Sequence, residues 1–555
     1  MSWLGFYVIG RNMKWFAKMG FDGGGESSKH KQYFVKSDDN VFRRSIIISF
    51  FVLGIPVFVE LFLILNYPEP NFRLLAYPPY YTVAKVAGLL VNFSLSYILF
   101  ISVRSKLMRK ISITLWLLIL HIPANLDFIC ARVTGTLLSN DFMFAIFNTH
   151  LREAILIIKE YSVFICVNLL IIFCAFCLKS DKRYINKKYS IYAAILLIYS
   201  ICCLTIQPFN RVIFAFSAHI EDLKDIDRFS KIQTPIKGIQ TKSKEKETYV
   251  FVIGESVDRK HMEIYGYNRP TTPHFEKIRD ELFVFKNVTT AHVFTSGAVK
   301  SMLLIKNNIN QIWSLIQFFK SAGFKTFWFS NQGKVDNFDN SVMRFGRSCN
   351  EYAFIHGKDV IYSSENYNLT FEDEQRRLKL WDENLMKYFE KALSDSSEKK
   401  LIILHLKGSH PPIGMRYPPE FAKFSLPKQY YDKKKALAVC YFDNSILYAD
   451  HILNEVIESL KKCSETSAML YLSDHGQDIN DTEECILTAR TWPDGYEVPF
   501  VVWISEKYRK TNAEFIKGWN INQKYVTDKT AYSLIDLARL SHPDIDLSNS
   551  IFSKK

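Results

Sequence analysis

Long apolar runs crowd the first 210 residues of the chain, whereas the remainder sets short apolar stretches among charged and polar ones. The mean hydropathy of −0.03 therefore averages two regions built for different solvents. Five runs have the length and composition of bilayer-crossing helices: about Ser45 to Asn66, Tyr81 to Val103, Ile111 to Arg132, Tyr161 to Leu178 and Tyr189 to Gln207. The first does not read as a cleavable signal, because its apolar stretch is too long and the exit Asn66-Tyr67-Pro68-Glu69-Pro70 has no small-x-small site. Basic residues set the orientation. Arg43 and Arg44 precede the first run, Arg104, Lys106, Arg109 and Lys110 follow the second, and Lys179, Lys182, Arg183, Lys187 and Lys188 follow the fourth. The positive-inside rule then places the N-terminus in the cytoplasm and residues 208–555 on the outer side.

Glu60, His121, Asn125 and Asp127 fall at or near membrane depth. There a charge needs a partner or hydration, so an interhelical contact and a lipid-headgroup contact are both open. Asp141 to Glu160 reads as an outward loop with its own helix, and Arg211 to Lys231 as a segment lying along the membrane surface. The run Lys242 to Glu247 reads as a linker. The chain divides accordingly into a cytoplasmic segment (1–44), a membrane domain (45–210), a surface segment and linker (211–247) and an outer globular domain (248–555).

In the globular half, short β-rich runs end abruptly in polar residues. Tyr249 to Ile253 leads to Gly254-Glu255-Ser256, Thr326 to Phe329 to Ser330-Asn331-Gln332, and Leu401 to Leu406 to Lys407-Gly408-Ser409-His410. Met469 to Leu472 leads to Ser473-Asp474-His475-Gly476, and Val498 to Ile504 to Ser505-Glu506. Continuous apolar strands separated by helical segments such as Gln311 to Ala322 and Glu372 to Leu393 predict an α/β sheet buried on both faces. Ligands of such sheets bind beyond the carboxyl ends of the strands. Glu255, Asp474 and His475 would meet there as oxygen and nitrogen ligands that suit zinc, and a nearby hydroxyl would become a nucleophile. Each residue alone also fits an ordinary satisfied turn.

Charge and cysteines refine this picture. The net charge of +14 comes from dispersed Lys and Arg that cluster mainly beside the apolar runs, which fits an anionic membrane surface better than nucleic acid. Cys349, Cys440, Cys463 and Cys485 lie in the outer half, where an oxidising compartment would permit one or two disulfides of unspecified pairing.

The run Val250-Phe251-Val252-Ile253-Gly254-Glu255-Ser256, followed by Arg259, His261, Met262, Tyr265-Gly266-Tyr267, Arg269 and Thr271-Thr272-Pro273, resembles the start of the catalytic domain in phosphoethanolamine transferases. These belong to the sulfatase and alkaline phosphatase superfamily. The resemblance implies an α-helical membrane domain of five transmembrane helices plus an alkaline-phosphatase-like α/β catalytic domain, anchored in a bacterial inner membrane and facing the periplasm. It makes Glu255, Asp474 and His475 zinc ligands. The register of Asn287-Val288-Thr289-Thr290 points to Thr295 as nucleophile and further zinc ligand, with Thr289, Thr290 and Ser296 as competing hydroxyls. His410 would face the phosphoryl group, and His405 would be structural. Asn331, Gln332 and Lys334 fall where the family contacts the transferred group, although a solvated loop accounts for them equally well. Thr149 and Glu153 match an element near the entry of the lipid substrate, and Tyr441 to Asp450 a packing helix.

The activity so implied moves phosphoethanolamine from phosphatidylethanolamine to lipopolysaccharide through a covalent threonine intermediate. A phosphoglycerol transferase of the same superfamily and a catalytically inactive membrane scaffold are the competing readings. Three departures weigh on the acceptor and on a second zinc. No Cys lies between Thr289 and Leu304, Gln477 stands where many members have Glu, and no His occurs between Gln477 and Leu540. A core sugar such as heptose thereby gains weight against lipid A.

Overall fold

The computed structural model describes residues 35–66, 106–134, 161–178, 234–332, 341–355, 381–425, 434–477 and 494–553, apart from 244, 412 and 464, together with isolated positions elsewhere. Helix α1 (Val35–Asn66) carries Pro56. Helix α2 (Lys106–Trp116) passes through a π-turn at Leu117–His121 into α3 (Ile122–Thr134), and α4 is Ser162–Cys177.

Arg109–Val133 forms 25 helical residues of mean hydropathy 1.7, long and apolar enough to cross a membrane, while Ile47–Leu63 and Ser162–Cys177 are shorter apolar helices. Leu53, Val57, Trp116, Leu120 and Ala175 bury one another between these helices. Phe51, Val163 and Phe173 instead point outward, 58%, 77% and 66% exposed. Apolar faces of that kind suit a lipid solvent. The expected second span is described only at isolated positions, and the fifth lies outside the described residues. Three of the polar residues singled out in this region contact neighbouring groups of the chain. Asp127 Oδ1 accepts the Leu138 N–H at 2.8 Å, Asn125 donates to the His121 carbonyl at 2.7 Å, and His121 stacks on Trp116. Glu60 is fully buried. Residues 212–217 are helical with Ile213, Phe214 and Phe216 exposed and Ala215 buried.

The outer half is built on a seven-stranded sheet. In chain order its strands are β1 (Glu247–Gly254), β2 (Leu282–Val284), β3 (Lys325–Ser330), β4 (Glu351–Phe354), β5 (Lys399–His405), β6 (Thr466–Ser473) and β7 (Phe500–Ile504). Their spatial order is β2-β7-β6-β1-β5-β3-β4. Strands β6, β1, β5, β3 and β4 are mutually parallel, whereas β7 is antiparallel to both neighbours.

Side chains alternate across this sheet with period two. Phe251, Ile253, Ile403 and Leu470 face a core completed by helices α5 (Thr295–Leu303), α6 (Leu315–Ser321) and α10 (Thr530–Leu537). Val250, Val252, Ile402 and Met469 face another, covered by α8 (Met386–Leu393) and α9 (Lys434–Lys461). Between them on the first face lies α7 (Ser341–Arg347). The parallel strands are therefore buried on both faces, which is why they read as unbroken apolar runs. At the amino end of the sheet, Lys399 Nζ of β5 pairs with Glu247 of neighbouring β1 at 3.1 Å, and Lys400 Nζ of β5 reaches across β1 to Glu465, just before β6, at 3.5 Å.

Two expectations need correction. The segment Gln311 to Ala322 is not one helix: Ile312–Ser314 pairs antiparallel with Leu304–Lys306, and only then does α6 begin, capped by Ser314 Oγ accepting Gln317 N. The end of Val498 to Ile504 does not join the other strand ends. Because β7 runs antiparallel, Ser505 emerges at the opposite edge, where its hydroxyl caps the helix Glu506–Thr511. Of Glu372 to Leu393, the described part is a short 3₁₀ turn at Asp382–Leu385 followed by α8. Cys349, Cys440 and Cys463 carry free thiols.

Candidate metal centre and nucleophile

Strands β1 and β6 are adjacent and in register at their ends, with Ser473 opposite Gly254. The residues that follow, Glu255 on one strand and Asp474-His475 on the other, are thereby brought together. All three are fully buried, and one donor atom from each lies within 4.8 Å of the others. Ser256 takes φ of +60°, a backbone turn that non-glycine residues seldom adopt. The turn aims its N–H at Asp474 Oδ1 (3.0 Å) and its hydroxyl at Glu255 Oε1 (2.6 Å).

Two glycines make the close approach possible. A Cβ on Gly408, whose φ is +48°, would lie 2.8 Å from the Glu255 carbonyl oxygen, which accepts Ser409 N at 2.9 Å. A Cβ on Gly476 would sit 2.0 Å from the Asp494 carbonyl oxygen.

Thr295 opens α5, and its backbone start is the extended residue Phe294. Its hydroxyl donates to Glu255 Oε2 at 3.0 Å and lies 3.5 Å from His475 Nε2. Two of the competing hydroxyls are held elsewhere: Thr289 faces the Tyr525 carbonyl, and Thr290 donates to the His292 carbonyl.

Charge at this cluster is short of a cation. His475 Nδ1 donates to the Gly476 carbonyl at 2.8 Å, so Nε2 faces Glu255 Oε1 and Asp474 Oδ2, each at 3.4 Å. Without a cation only a proton on that nitrogen can offset the two carboxylates, and a bound cation would take its lone pair instead. Asp474 Oδ2 is buried and accepts no hydrogen bond. Burial raises the Asp474 carboxyl, and the neighbouring Glu255 charge raises it further, to about 7. Burial also acts to raise Glu255, but its bonding to His475 and the charges of His475 and His410 hold it well below the usual range. Two carboxylates, an imidazole nitrogen and a hydroxyl converging in a buried cluster fit a divalent cation such as zinc.

The loop after β5 closes the site from a third side. His410 Nδ1 donates to the Pro411 carbonyl at 2.7 Å, and Arg416 donates to the carbonyls of His410 and Pro411 at 2.6 and 2.7 Å. Asp382 anchors this loop from beneath, accepting Lys407 N (2.7 Å), Gly408 N (3.0 Å) and the Asn331 amide (2.8 Å). Asn331, expected at the transferred group, is thus a fully buried scaffold residue. Its neighbour Gln332 makes the contact with the site, donating to Glu255 Oε2 at 2.9 Å, and Lys407 Nζ donates to Gln332 Oε1 at 3.2 Å. Asp382 is not marked by its sequence neighbourhood, whereas Lys407 is the first polar residue after the run Leu401 to Leu406. His405 is buried, with Nδ1 facing Ser330 Oγ at 3.2 Å. Lys334, Thr149 and Glu153 lie outside the described residues.

The motif residues beyond Ser256 build scaffold. His261 Nδ1 and Arg269 converge on Asp443 of α9 at 2.8 and 2.7 Å, with Tyr267 at 3.1 Å, and Asp450 accepts the N–H groups of His274 and Phe275. The Tyr441 to Asp450 stretch is therefore the packing element expected.

A family model described as Sulfatase matches residues 247–539. The chain belongs to the sulfatase family. Among relatives, this sulfatase-family chain is 29% identical over 323 residues to phosphoethanolamine transferase EptC of Escherichia coli K12, covering 55% of this chain and 53% of that protein. It is 27% identical over 280 residues to the Kdo(2)-lipid A phosphoethanolamine 7''-transferase of the same strain, covering 48% and 46%. The chain spans about half the length of the curated relatives it matches. The fold also matches the integral membrane protein lipooligosaccharide phosphoethanolamine transferase A from Neisseria meningitidis, with a TM-score of 0.58 and 19% identity, over 90% of this chain and 98% of that one. The shared fold therefore reaches beyond the sulfatase domain.

Proposed function

We propose that this sulfatase-family protein is a membrane-anchored, zinc-dependent phosphoethanolamine transferase that moves the group from phosphatidylethanolamine to lipopolysaccharide. The observation that carries the reading is Thr295: a hydroxyl at a helix start, 3.0 Å from Glu255 and 3.5 Å from His475, over a buried ligand set short of positive charge. The relatives named for phosphoethanolamine transfer support the transferred group, and the apolar helices support the anchor.

Glu255, Asp474, His475 and Thr295 would hold the zinc, which when bound lowers the pKa of a coordinated hydroxyl and offsets the carboxylate charge. Thr295 Oγ forms the bond to phosphorus, the bond from phosphorus to the diacylglycerol oxygen breaks, the hydroxyl loses its proton and the departing oxygen gains one. The N–H groups opening α5 face the developing negative charge, and His410 supplies further positive charge on the same side. In the second step an acceptor hydroxyl or phosphate attacks the phosphothreonine and restores Thr295. A core sugar such as heptose is the favoured acceptor, with lipid A the other. Both lipids then stay in the periplasmic leaflet of the inner membrane, and five transmembrane helices would hold the site beside them.

The test is incubation of the purified protein with labelled phosphatidylethanolamine and peptide mass spectrometry. Phosphoethanolamine is expected on Thr295 and absent from a Thr295→Ala variant. Wild-type transfer by Thr295→Ala would eliminate the assignment.

A further inference from the structure

An apolar patch joins the segment around α3 to the catalytic domain beside the nucleophile. Val133 of α3 and, beyond it, Phe142 and Met143 are buried together with Val293, Phe294 and Tyr496. Those last three side chains belong to neither of the cores that flank the sheet and cluster instead with this segment. Phe294 is 8% exposed and its ring lies 6.0 Å from that of Phe142. It is also the residue immediately before Thr295, and its carbonyl accepts Ala298 N at 3.0 Å, the bond that starts α5.

Tyr496 reaches the other half of the site. Its carbonyl accepts Thr290 N at 2.8 Å on the strand leading to Thr295, and the adjoining Gly495 carbonyl accepts Gly476 N at 3.0 Å in the turn that carries Asp474 and His475. On the opposite side, the exit of α3 is fixed by Asp127 accepting Leu138 N at 2.8 Å and by Cys130 Sγ donating to the Leu137 carbonyl at 3.6 Å. A path of buried contacts thus runs from the end of an apolar helix to both chain segments that assemble the site.

We propose that Phe142 and Met143 are positioning residues for Thr295, so that the membrane half sets the nucleophile's geometry as well as anchoring the enzyme. The proposal rests on the reading of Thr295 as nucleophile. A displacement of about 1 Å at a reacting atom lowers turnover by about 100-fold. Phe294 directly precedes Thr295 and its carbonyl accepts the first bond of α5, so loosening its buried ring contact loosens Thr295.

The experiment uses the full-length, zinc-loaded protein in detergent and compares wild type, Phe142→Ala, Met143→Ala and Phe142→Leu. Amide hydrogen exchange is followed over residues 291–303 and, as an internal measure of folding, over β1. Turnover is measured on a water-soluble nitrophenyl ester of phosphoethanolamine, whose access needs no membrane. Expected are faster exchange at the start of α5 in the alanine variants with β1 unchanged, kcat lower by about tenfold to a hundredfold, KM within about twofold, and recovery of most of both in Phe142→Leu. Wild-type exchange and kcat in both alanine variants would overturn the proposal. So would exchange that quickens in β1 to the same degree, which would make the contact one of general stability. A wild-type protein inert toward the ester would count against the transferase reading, and the exchange at α5 would still decide the positioning role.

Discussion

Asp382 is the group whose replacement tests the site's architecture most directly. It is buried, and its two carboxylate oxygens take three hydrogen bonds: Oδ1 from the Asn331 amide and Lys407 N, Oδ2 from Gly408 N. Asp382→Asn keeps the shape and one oxygen. That oxygen can retain two of the bonds, but the new NH₂ then faces the Gly408 N–H. One charge-assisted bond worth about 1.5–3 kcal/mol is lost, and a buried donor left without an acceptor costs about 1–3 kcal/mol more. The sum is about 3–6 kcal/mol. Burial raises the Asp382 carboxyl in the folded state, which trims the gain from the ionised form and favours the lower half of that range.

For a domain of this size each kcal/mol moves Tm by about 2–4 °C, so the variant should melt about 6–18 °C lower. The loss falls on the loop that places Gly408 against Glu255, so zinc affinity should drop alongside, by about tenfold or more. Thermal unfolding followed by tryptophan fluorescence, paired with competitive zinc titration, reads both. A Tm within about 2 °C of wild type and unchanged zinc binding would refute the claim that Asp382 carries the loop.

Other outcomes follow from the same geometry. Zinc at about a thousandfold over its Kd should stabilise the wild-type protein by about 4 kcal/mol, and chelation should remove that increment; Asp474→Asn should show little response, and an equal shift in that variant, read by calorimetry, would exclude Asp474 as a ligand. Asp450 offers a pH signature away from the metal: burial raises its carboxyl to about 7 despite the N–H groups of His274 and Phe275. Between its unfolded value of about 3.9 and about 7 the folded state binds the extra proton, so stability from this group is fully present at the acidic end and declines as pH rises through that window. Tm against pH should therefore fall more steeply in wild type than in Asp450→Asn, and parallel curves would contradict the assignment.

Much of the catalytic fold is readable from the chain because both faces of the sheet are buried. Tyr249 to Ile253 and Met469 to Leu472 must be apolar at every position, and the first polar residue after each marks the site edge. Glu255, Asp474 and His475 are found that way, whereas Thr295 needs the family resemblance, since its strand-to-helix context holds other hydroxyls. What escapes sequence reading is set by contacts remote along the chain. Gln332 and Asn331 are neighbours of the same chemistry, yet one faces Glu255 and the other Asp382, according to which side of the β3 exit each leaves. The direction of β7 is equally invisible, because an antiparallel strand in this sheet carries the same apolar run as a parallel one. Ile312 and Trp313 fit a helix pattern, and only the partner strand Leu304–Lys306 makes them a hairpin.

The ion pairs that tie Glu247 to Lys399 and Glu465 to Lys400 sit at the end of the sheet remote from Glu255 and Asp474. Opposite ends of the same strands thus answer to different demands. The amino end keeps the strands in register, while the carboxyl end carries the polar cluster. A library at that end that spares Gln332, Lys407 and Gly408, which touch Glu255 or Asp382, should retain a higher fraction of folded members than one that varies them.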